Sequence, residues 1–305
     1  MGDKKLTSYP KKRINILFLE NISDAALAQF KESGYSNIKK ISGALNESEL
    51  IQEIRDVHLL GIRSKTRITG KILAEAKKLQ AIGCFCIGVN QVQLNEATSH
   101  GVAVFNAPYS NTRSVAELVI GASIILIRKI VDKNKAAHEG IWMKDAGGSH
   151  ELRGKTLGII GYGNIGSQVS VLAEALGMHV LFYDAETKLP LGNATDSRSL
   201  KELLSCSDII TLHVPDLPET RNLINKSNIS WFKKGSMLIN YARGEVVDLF
   251  ALKKGLLSGH IGGAAIDVYP EEPEKNGDLF QTPLQGLPNV LLTPHIGGST
   301  QEAQN

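Results

Sequence analysis

The sequence has few cysteines, and this shortage excludes a disulfide-built protein. Cys84, Cys86 and Cys206 are the three cysteines among 305 residues. Three thiols cannot all pair with one another, and a C-x-C spacing without a nearby histidine is a poor metal site. We therefore expect buried free thiols in a reducing compartment and no bound metal.

Long apolar runs are also missing. The longest stretch, Leu118 to Ile127, is far shorter than the roughly 20 residues that a membrane-spanning helix needs. The apolar run nearest the N-terminus, Ile14 to Leu19, has no signal-peptide character. We expect a cytoplasmic protein that does not associate with a membrane.

Net charge is nearly absent. Lys and Arg number 34 against 31 Asp and Glu, which leaves a formal charge of +3. This excess is too small and too dispersed for a nucleic-acid-binding surface. The basic residues near the N-terminus are interpreted as a solvated tail, so no nucleic-acid partner is expected.

The chain is instead rich in glycine, with 29 residues, and has a globular composition of 42% hydrophobic and 21% charged residues. Its length is about twice that of a typical domain, which favours two domains. Apolar runs bounded by turn residues alternate with helical patterns, as in βαβ units around parallel sheets.

The first hundred residues predict one α/β unit. Its expected strands are Ile14 to Leu19, His58 to Ile62, Leu79 to Ile82 and Val102 to Phe105. One long connecting helix is expected from Ser114 to Glu139. Six further strands are then expected at Thr156 to Ile160, Val180 to Tyr183, Asp208 to His213, Met237 to Asn240, Gly263 to Asp267 and Val290 to Thr293.

The most specific motif is G-x-G-x-x-G at Gly161, Gly163 and Gly166, between a predicted strand and a predicted helix. Gly161 permits the tight turn, Gly163 lets a pyrophosphate approach the backbone, and Gly166 lets the helix pack closely on the strand. Asp184 ends the next strand at about the spacing of a ribose-binding acid. Its charge disfavours a 2′-phosphate, so NAD is favoured over NADP. Asp184 is alternatively a turn residue.

Three later segments, each after a predicted strand, supply a guanidinium, a carboxylate and an imidazole: Arg243, Glu272 and His295. Ligands bind at this edge of parallel sheets. A guanidinium fork suits a substrate carboxylate, and an imidazole titrates near neutrality. A neighbouring carboxylate fixes the imidazole tautomer. Hydride transfer from a 2-hydroxy acid needs these groups.

From about Ile14 to Asn305 the chain resembles the D-isomer-specific 2-hydroxyacid dehydrogenase family. The resemblance rests on the glycine motif with Arg243-Gly, Glu272-Pro and Pro294-His-Ile-Gly-Gly298. It implies that Arg243 holds the substrate carboxylate, that His295 is the acid/base and that Glu272 orients it. It also implies NAD contacts, at Asn164, Ile165, Asp184, Tyr241, Ala242, Asp267, Gly297 and Gly298. Tyr241 departs from the small residue usual in bacterial members.

The resemblance further implies two Rossmann-like or flavodoxin-like domains with parallel sheets and an active site in the interdomain cleft. Residues 1–110, completed by 297–305, would bind substrate, and residues 111–296 would bind NAD. Arg63, Ser64 and Asn111 would hold the carboxylate or phosphate end of the substrate.

Segments such as Ala81 to Gly88 and Asn111 to Gly121 point within the family to oxidation of 3-phosphoglycerate, the entry to L-serine biosynthesis. The alternatives are a relative acting on another acid, such as 2-oxoglutarate, and an NAD-sensing regulator. A homodimer or homotetramer is expected. Bacterial members continue into a serine-binding ACT-type domain, which we expect to be lacking here.

Overall fold

The computed structural model describes residues 9–273 and 277–304. The chain divides into two compact units. Unit 1 contains the residues up to Asn111 together with those from Thr300 onwards, and unit 2 spans Thr112–Ser299. The boundaries anticipated from the sequence were residues 110 and 297.

Unit 1 is built on a five-stranded parallel sheet with the order β2-β1-β3-β4-β5. Its strands are β1 (Asn15–Phe18), β2 (Asn37–Lys40), β3 (Leu59–Ile62), β4 (Ala81–Cys84) and β5 (Ala103–Asn106). Its helices are α1 (Asp24–Glu32), α2 (Glu47–Ile54), α3 (Gly70–Glu75), α4 (Leu94–Ser99) and the short α10 (Gln301–Gln304). The strand order is that of flavodoxin-like folds, whose switch point lies between β1 and β3.

Local sequence explains why these helices begin where they do. Asn46 caps α2 through a capping box with Glu49, and Ser23 accepts from the backbone of Ala26 at the start of α1. The inner residues, such as Leu50 and Ile54, are fully buried against the central strands. The alternation of strand and helix therefore buries two apolar clusters, a large one that includes Leu50 and Ile54 and a smaller one of Ile16, Phe18 and Ile22.

Unit 2 carries a seven-stranded parallel sheet with the order β12-β11-β10-β9-β6-β7-β8. Its strands are β6 (Thr156–Ile160), β7 (His179–Tyr183), β8 (Thr195–Asp196), β9 (Ile209–Leu212), β10 (Ser236–Asn240), β11 (Ile261–Ile266) and β12 (Val290–Leu292). Its helices are α5 (Thr112–Ile127), α6 (Ile130–His138), α7 (Asn164–Ala175), α8 (Leu200–Cys206) and α9 (Leu249–Leu257). This is the doubly wound Rossmann order with one added strand, and its switch point lies between β6 and β9.

The structure corrects three elements. β2 was not expected, because Asn-Ile-Lys-Lys at the sheet edge lacks an apolar run. β8 was also missed, and it is a two-residue edge strand. The single helix expected from Ser114 to Glu139 is two helices, because Lys129 adopts a left-handed backbone (φ 52°) between α5 and α6.

No helix in the described ranges is long and apolar enough to cross a membrane. Cys84 is a buried free thiol and Cys206 an exposed one. Burial raises the pKa of the Cys84 thiol to about 12, so this group is held protonated at neutral pH.

Candidate active site

The glycine turn joins β6 to α7 at the switch point of unit 2. Gly161 has φ +92°, and a Cβ there would lie 2.6 Å from the backbone oxygen of His213, in the segment after β9. Gly166 is equally confined, since an added Cβ would run into the backbone of Gly161. These two glycines are therefore required by the packing of the turn itself.

Gly163 differs, because a Cβ there would meet nothing within 4 Å and its φ is −85°. It is the N-cap residue of α7, and no side chain caps that helix. Gly163 and Asn164 are exposed, whereas Ile165 is half-buried against the core. The first N–H groups of α7 and the positive end of its dipole are thus available to an anion such as a pyrophosphate.

Asp184 lies directly after β7 and faces the glycine turn. One carboxylate oxygen accepts from the backbone N–H of Tyr162 at 2.7 Å, and the other accepts from Glu186 at 3.0 Å. Asp184 therefore stabilises the turns beside it, as the alternative of a turn residue predicts. Each oxygen keeps a second lone pair, so the same carboxylate has capacity for a ribose hydroxyl.

His295 and Glu272 are brought together from separate segments of unit 2. His295 Nδ1 lies 2.8 Å from Glu272 Oε2, and Glu272 Oε1 accepts from the backbone N–H of Tyr269 at 3.1 Å. The hydrogen bond to Glu272 raises the pKa of His295 above its ordinary value. Burial is the largest single effect on Glu272 and opposes its ionised form. The contacts with His295 and the Tyr269 N–H, with the charge of Arg243, together outweigh burial and lower the pKa of Glu272.

The His295 side chain remains 50% exposed and that of Glu272 36% exposed, so the pair is open to solvent on one side. Because Nδ1 faces Glu272, the other ring nitrogen, Nε2, is directed away from the carboxylate. An imidazole held in this way can exchange a proton with a ligand through Nε2.

Arg243 follows β10. Its positive charge favours a lower pKa for both Glu272 and His295, but the pKa of His295 is still raised overall. Its guanidinium Nη1 donates to the carbonyl of Ala242 at 2.7 Å. Gly244 is needed beside it, since a Cβ there would overlap the backbone of Tyr269 and Pro270. The Arg-Gly dipeptide thus packs against the segment that carries Glu272.

Asp267 supports the loop that carries His295. Its carboxylate is buried and accepts from Thr293 Oγ1 at 2.6 Å and from the backbone N–H groups of Ile296 and Gly297 at 2.9 and 2.7 Å. The backbone N–H of His295, which has φ 53°, donates to the carbonyl of Asp267 at 2.8 Å. Burial raises the pKa of Asp267 despite these bonds.

Tyr241 and Ala242 are buried at the end of β10. The Tyr241 hydroxyl has no hydrogen-bond partner of acceptable geometry among the described residues, although Asp267 and Thr293 are near it. Burial raises the pKa of this phenol. Gly297 is buried and Gly298 half-buried in the loop after His295.

In unit 1, Arg63 and Ser64 form the loop after β3, and Asn111 is the last residue before unit 2 begins. Arg63 is half-buried and Ser64 exposed. Within the described part of the chain, the Arg63 guanidinium makes no hydrogen bond or ion pair, whereas its backbone is bonded on both sides.

Several residues that shape this site were not predicted from the sequence. Tyr269 donates its hydroxyl to the carbonyls of Ile266 and Thr293, which ties β11 to the segment after β12. Asn240 donates to the carbonyl of Arg243 and accepts from Ala242, which shapes the turn after β10. The position of Tyr269 beside Glu272-Pro was the available signal. No cluster of potential metal ligands occurs within residues 9–273 and 277–304.

The family is established by comparison with known proteins. Residues 120–297 match the model of the NAD-binding domain of D-isomer-specific 2-hydroxyacid dehydrogenases. The chain belongs to this family, and it is an NAD-dependent oxidoreductase.

Two curated relatives share more than half of their aligned residues with the chain. It is 56% identical over 298 residues to a D-3-phosphoglycerate dehydrogenase of Dictyostelium discoideum, covering 98% of this chain and 73% of the relative. It is 54% identical over 297 residues to the D-3-phosphoglycerate dehydrogenase of Escherichia coli K12, covering 97% and 72%.

Solved structures of lower identity share the fold. A D-lactate dehydrogenase from Aquifex aeolicus in complex with NAD and lactic acid is 29% identical, with a TM-score of 0.81, covering 95% of this chain and 90% of that one. The TT0316 protein from Thermus thermophilus is 31% identical, with a TM-score of 0.84 and coverage of 95% and 92%.

Proposed function

We propose that the chain oxidises 3-phospho-D-glycerate to 3-phosphohydroxypyruvate with reduction of NAD to NADH, the first step of L-serine biosynthesis. The observation that carries this proposal is the identity of 54% or more, over at least 97% of the chain, to several relatives named D-3-phosphoglycerate dehydrogenase. The hydrogen-bonded pair of His295 and Glu272 beside Arg243 supplies the groups that this chemistry needs.

In this proposal His295 is the catalytic base. Its Nε2 takes the proton of the substrate C2 hydroxyl as the C2 hydrogen leaves as hydride, and it returns the proton in the reverse reaction. Glu272 holds the ring through Nδ1 and stabilises the imidazolium that forms. Arg243 binds the substrate carboxylate, for which its fixed charge and planar fork are suited.

NAD supplies the hydride acceptor, and unit 2 offers fitting groups for it. The uncapped start of α7 would receive the pyrophosphate at Gly161, Gly163, Asn164, Ile165 and Gly166. Asp184 would bind the adenosine ribose. Around the nicotinamide, the proposed contacts come from four buried or half-buried positions and one buried carboxylate: Tyr241, Ala242, Gly297, Gly298 and Asp267.

At the far end of the substrate, Arg63 and Ser64 would bind the phosphate or carboxylate, with Asn111 as a further contact. The free guanidinium of Arg63 in the described part of the chain supports this assignment. Unit 1 is accordingly proposed as the substrate-binding domain and unit 2 as the NAD-binding domain. A cytoplasmic location and a homodimer or homotetramer complete the proposal, and gel filtration with light scattering would test the assembly.

A substrate panel tests the function. NADH absorbance is followed with 3-phosphoglycerate, 2-hydroxyglutarate and lactate in the oxidative direction, and with the matching 2-oxo acids in the reductive direction. We expect kcat/KM for the phosphorylated pair to exceed that for lactate by at least about a hundredfold, since lactate leaves the Arg63 guanidinium unpaired. It should also exceed that for 2-hydroxyglutarate, whose distal carboxylate carries less charge than a phosphate. A higher kcat/KM for 2-oxoglutarate, or no turnover of any acid, would overturn the proposal.

A further inference from the structure

Glu20 is a buried carboxylate at the switch point of the unit 1 sheet. It follows β1 directly, and the loop from Arg63 to Thr66 follows the neighbouring strand β3. Ligands of open α/β sheets bind where the order of the strands reverses, which in unit 1 is between these two strands. Only 8% of the Glu20 surface is exposed, so its charge is withdrawn from bulk water.

The carboxylate is bonded to the backbone of the β3 loop. Oε1 accepts from the N–H groups of Arg63 at 3.2 Å and Thr66 at 2.8 Å, and Oε2 accepts from the N–H of Lys65 at 2.9 Å. Three bonds from one side chain therefore fix the backbone of one short loop, from Arg63 to Thr66. Charge-assisted bonds of this kind are stronger and more directional than bonds between neutral groups.

The backbone at Glu20 is unfavourable for its residue type. Glu20 has φ 57° and Asn21 has φ 53°, so two successive residues that are not glycine lie in the left-handed region. Such a conformation is disfavoured for residues other than glycine and persists where the surroundings enforce it. At Glu20 this backbone directs the side chain towards the loop after β3.

The other side of the loop is held by Gln91. Its Nε2 donates to the carbonyl of Arg63 at 2.8 Å and to that of Gly88 at 3.2 Å. The Arg63 backbone is therefore fixed through both its N–H and its C=O, whereas its guanidinium is free of partners in the described part of the chain. With its backbone fixed and its guanidinium unpaired among the described residues, Arg63 is well placed to present this cation to a ligand.

We propose that Glu20 is a positioning residue for substrate, which acts by fixing the loop that presents Arg63 to the substrate anion. This proposal rests on the proposed function, since it requires Arg63 to contact substrate. In this proposal Glu20 acts through the loop and not by contact with substrate, since it is buried and both of its oxygens face the loop backbone.

The test is Glu20→Gln, which keeps the size of the side chain but places an NH₂ group against one of the three N–H donors. We expect KM for 3-phosphoglycerate to rise about tenfold, with kcat changed less than about twofold and the dissociation constant of NADH unchanged. Glu53→Gln is the matched control, because it removes a half-buried carboxylate from the same unit, paired with Lys39 away from the loop. It should leave KM unchanged.

A double-mutant cycle with Arg63→Ala separates the possible outcomes. If Glu20 acts through Arg63, the double variant has the same KM as Arg63→Ala alone. Independent, multiplying effects would overturn the proposal, as would a normal KM in Glu20→Gln while Arg63→Ala raises KM. A normal KM in Arg63→Ala would instead refute the proposed role of Arg63, and the role of Glu20 with it.

Glu20→Asp is the second variant, for use if Glu20→Gln does not fold. It keeps the charge but shortens the reach to the three N–H groups by one methylene. We expect KM to rise at least about threefold with kcat again preserved. An unchanged KM, or a fall in kcat without a rise in KM, would overturn the proposal.

Discussion

Nδ1 of His295 and Oε2 of Glu272 lie 2.8 Å apart, so the ionisation of each residue depends on the other. The hydrogen bond raises the pKa of His295 above 6.5, and Glu272 is held ionised. If His295 is the base, as proposed, oxidation needs the neutral imidazole, so kcat/KM should rise with pH through the raised pKa. Reduction needs the imidazolium and should decline over the same range.

Glu272→Gln should move both pH profiles towards acid, because loss of the carboxylate lowers the pKa of His295. We also expect kcat to fall by about tenfold or more, since the ring loses the anion that orients it. Initial rates between about pH 5.5 and 9.5 in both directions measure this. Glu271→Gln is the control, because Glu271 is exposed and adjacent. Profiles that stay in place in Glu272→Gln would contradict the assignment.

His295 itself is best replaced by asparagine, which tolerates the left-handed backbone (φ 53°) at this position. We expect His295→Asn to reduce kcat by about 10²- to 10⁴-fold, the usual contribution of general acid–base catalysis. The NADH dissociation constant from fluorescence titration should stay within about twofold. His138→Asn, at an exposed position in the last turn of α6, serves as the control. A His295→Asn variant with normal turnover would require another base.

Asp184 is bonded to the glycine turn and is proposed to select NAD, and a mutation can separate these two roles. Asp184→Ala removes the acceptor of the Tyr162 N–H, so the free energy of unfolding should fall by about 1–3 kcal/mol. It also removes the charge that would repel a 2′-phosphate, so the ratio of kcat/KM for NADP to that for NAD should rise about tenfold or more. Denaturant unfolding and steady-state kinetics measure the two effects.

Glu186→Ala is the matched control for Asp184, since it removes a nearby exposed carboxylate that pairs with Lys188. Its cofactor preference should be that of the unaltered protein. If Asp184→Ala loses stability but keeps the same preference for NAD, Asp184 is a turn residue and has no part in cofactor selection.

Much of the fold could be predicted because buried parallel strands leave a strong apolar signal. Thr156 to Ile160 was predicted at its observed bounds, since it precedes the glycine turn. β2 was missed because its alternating exposed residues at the sheet edge resemble a loop. The break at Lys129 was missed because no glycine or proline marks it in the sequence.

The site was predictable where function concentrates in short motifs, as at Arg243-Gly and Glu272-Pro. Glu20 was not, because its partners lie 43 to 46 residues away and it carries no motif of its own. The same holds for Tyr269, whose hydroxyl bonds join two segments. A side chain that positions a loop through hydrogen bonds to distant residues can be recognised only when the packing of the strands is known.

Two glycines of the glycine turn, Gly161 and Gly163, should respond differently to substitution by alanine. Gly161→Ala would force a Cβ against the backbone of His213 at φ +92°, so we expect a loss of about 2 kcal/mol or more in the free energy of unfolding. Gly163→Ala meets no atom within 4 Å and needs no unusual backbone. It should leave stability within about 0.5 kcal/mol of the unaltered protein.

Gly163→Ala should nevertheless weaken NADH binding by about tenfold or more, because the added methyl group stands where a pyrophosphate would approach the start of α7. Gly121→Ala is the control, since Gly121 lies within α5 with open space around it and should gain about 0.5–1 kcal/mol in stability. Fluorescence titration and thermal unfolding of the three variants provide the comparison. Normal NADH binding by a folded Gly163→Ala protein would place the pyrophosphate elsewhere than at the α7 N-terminus.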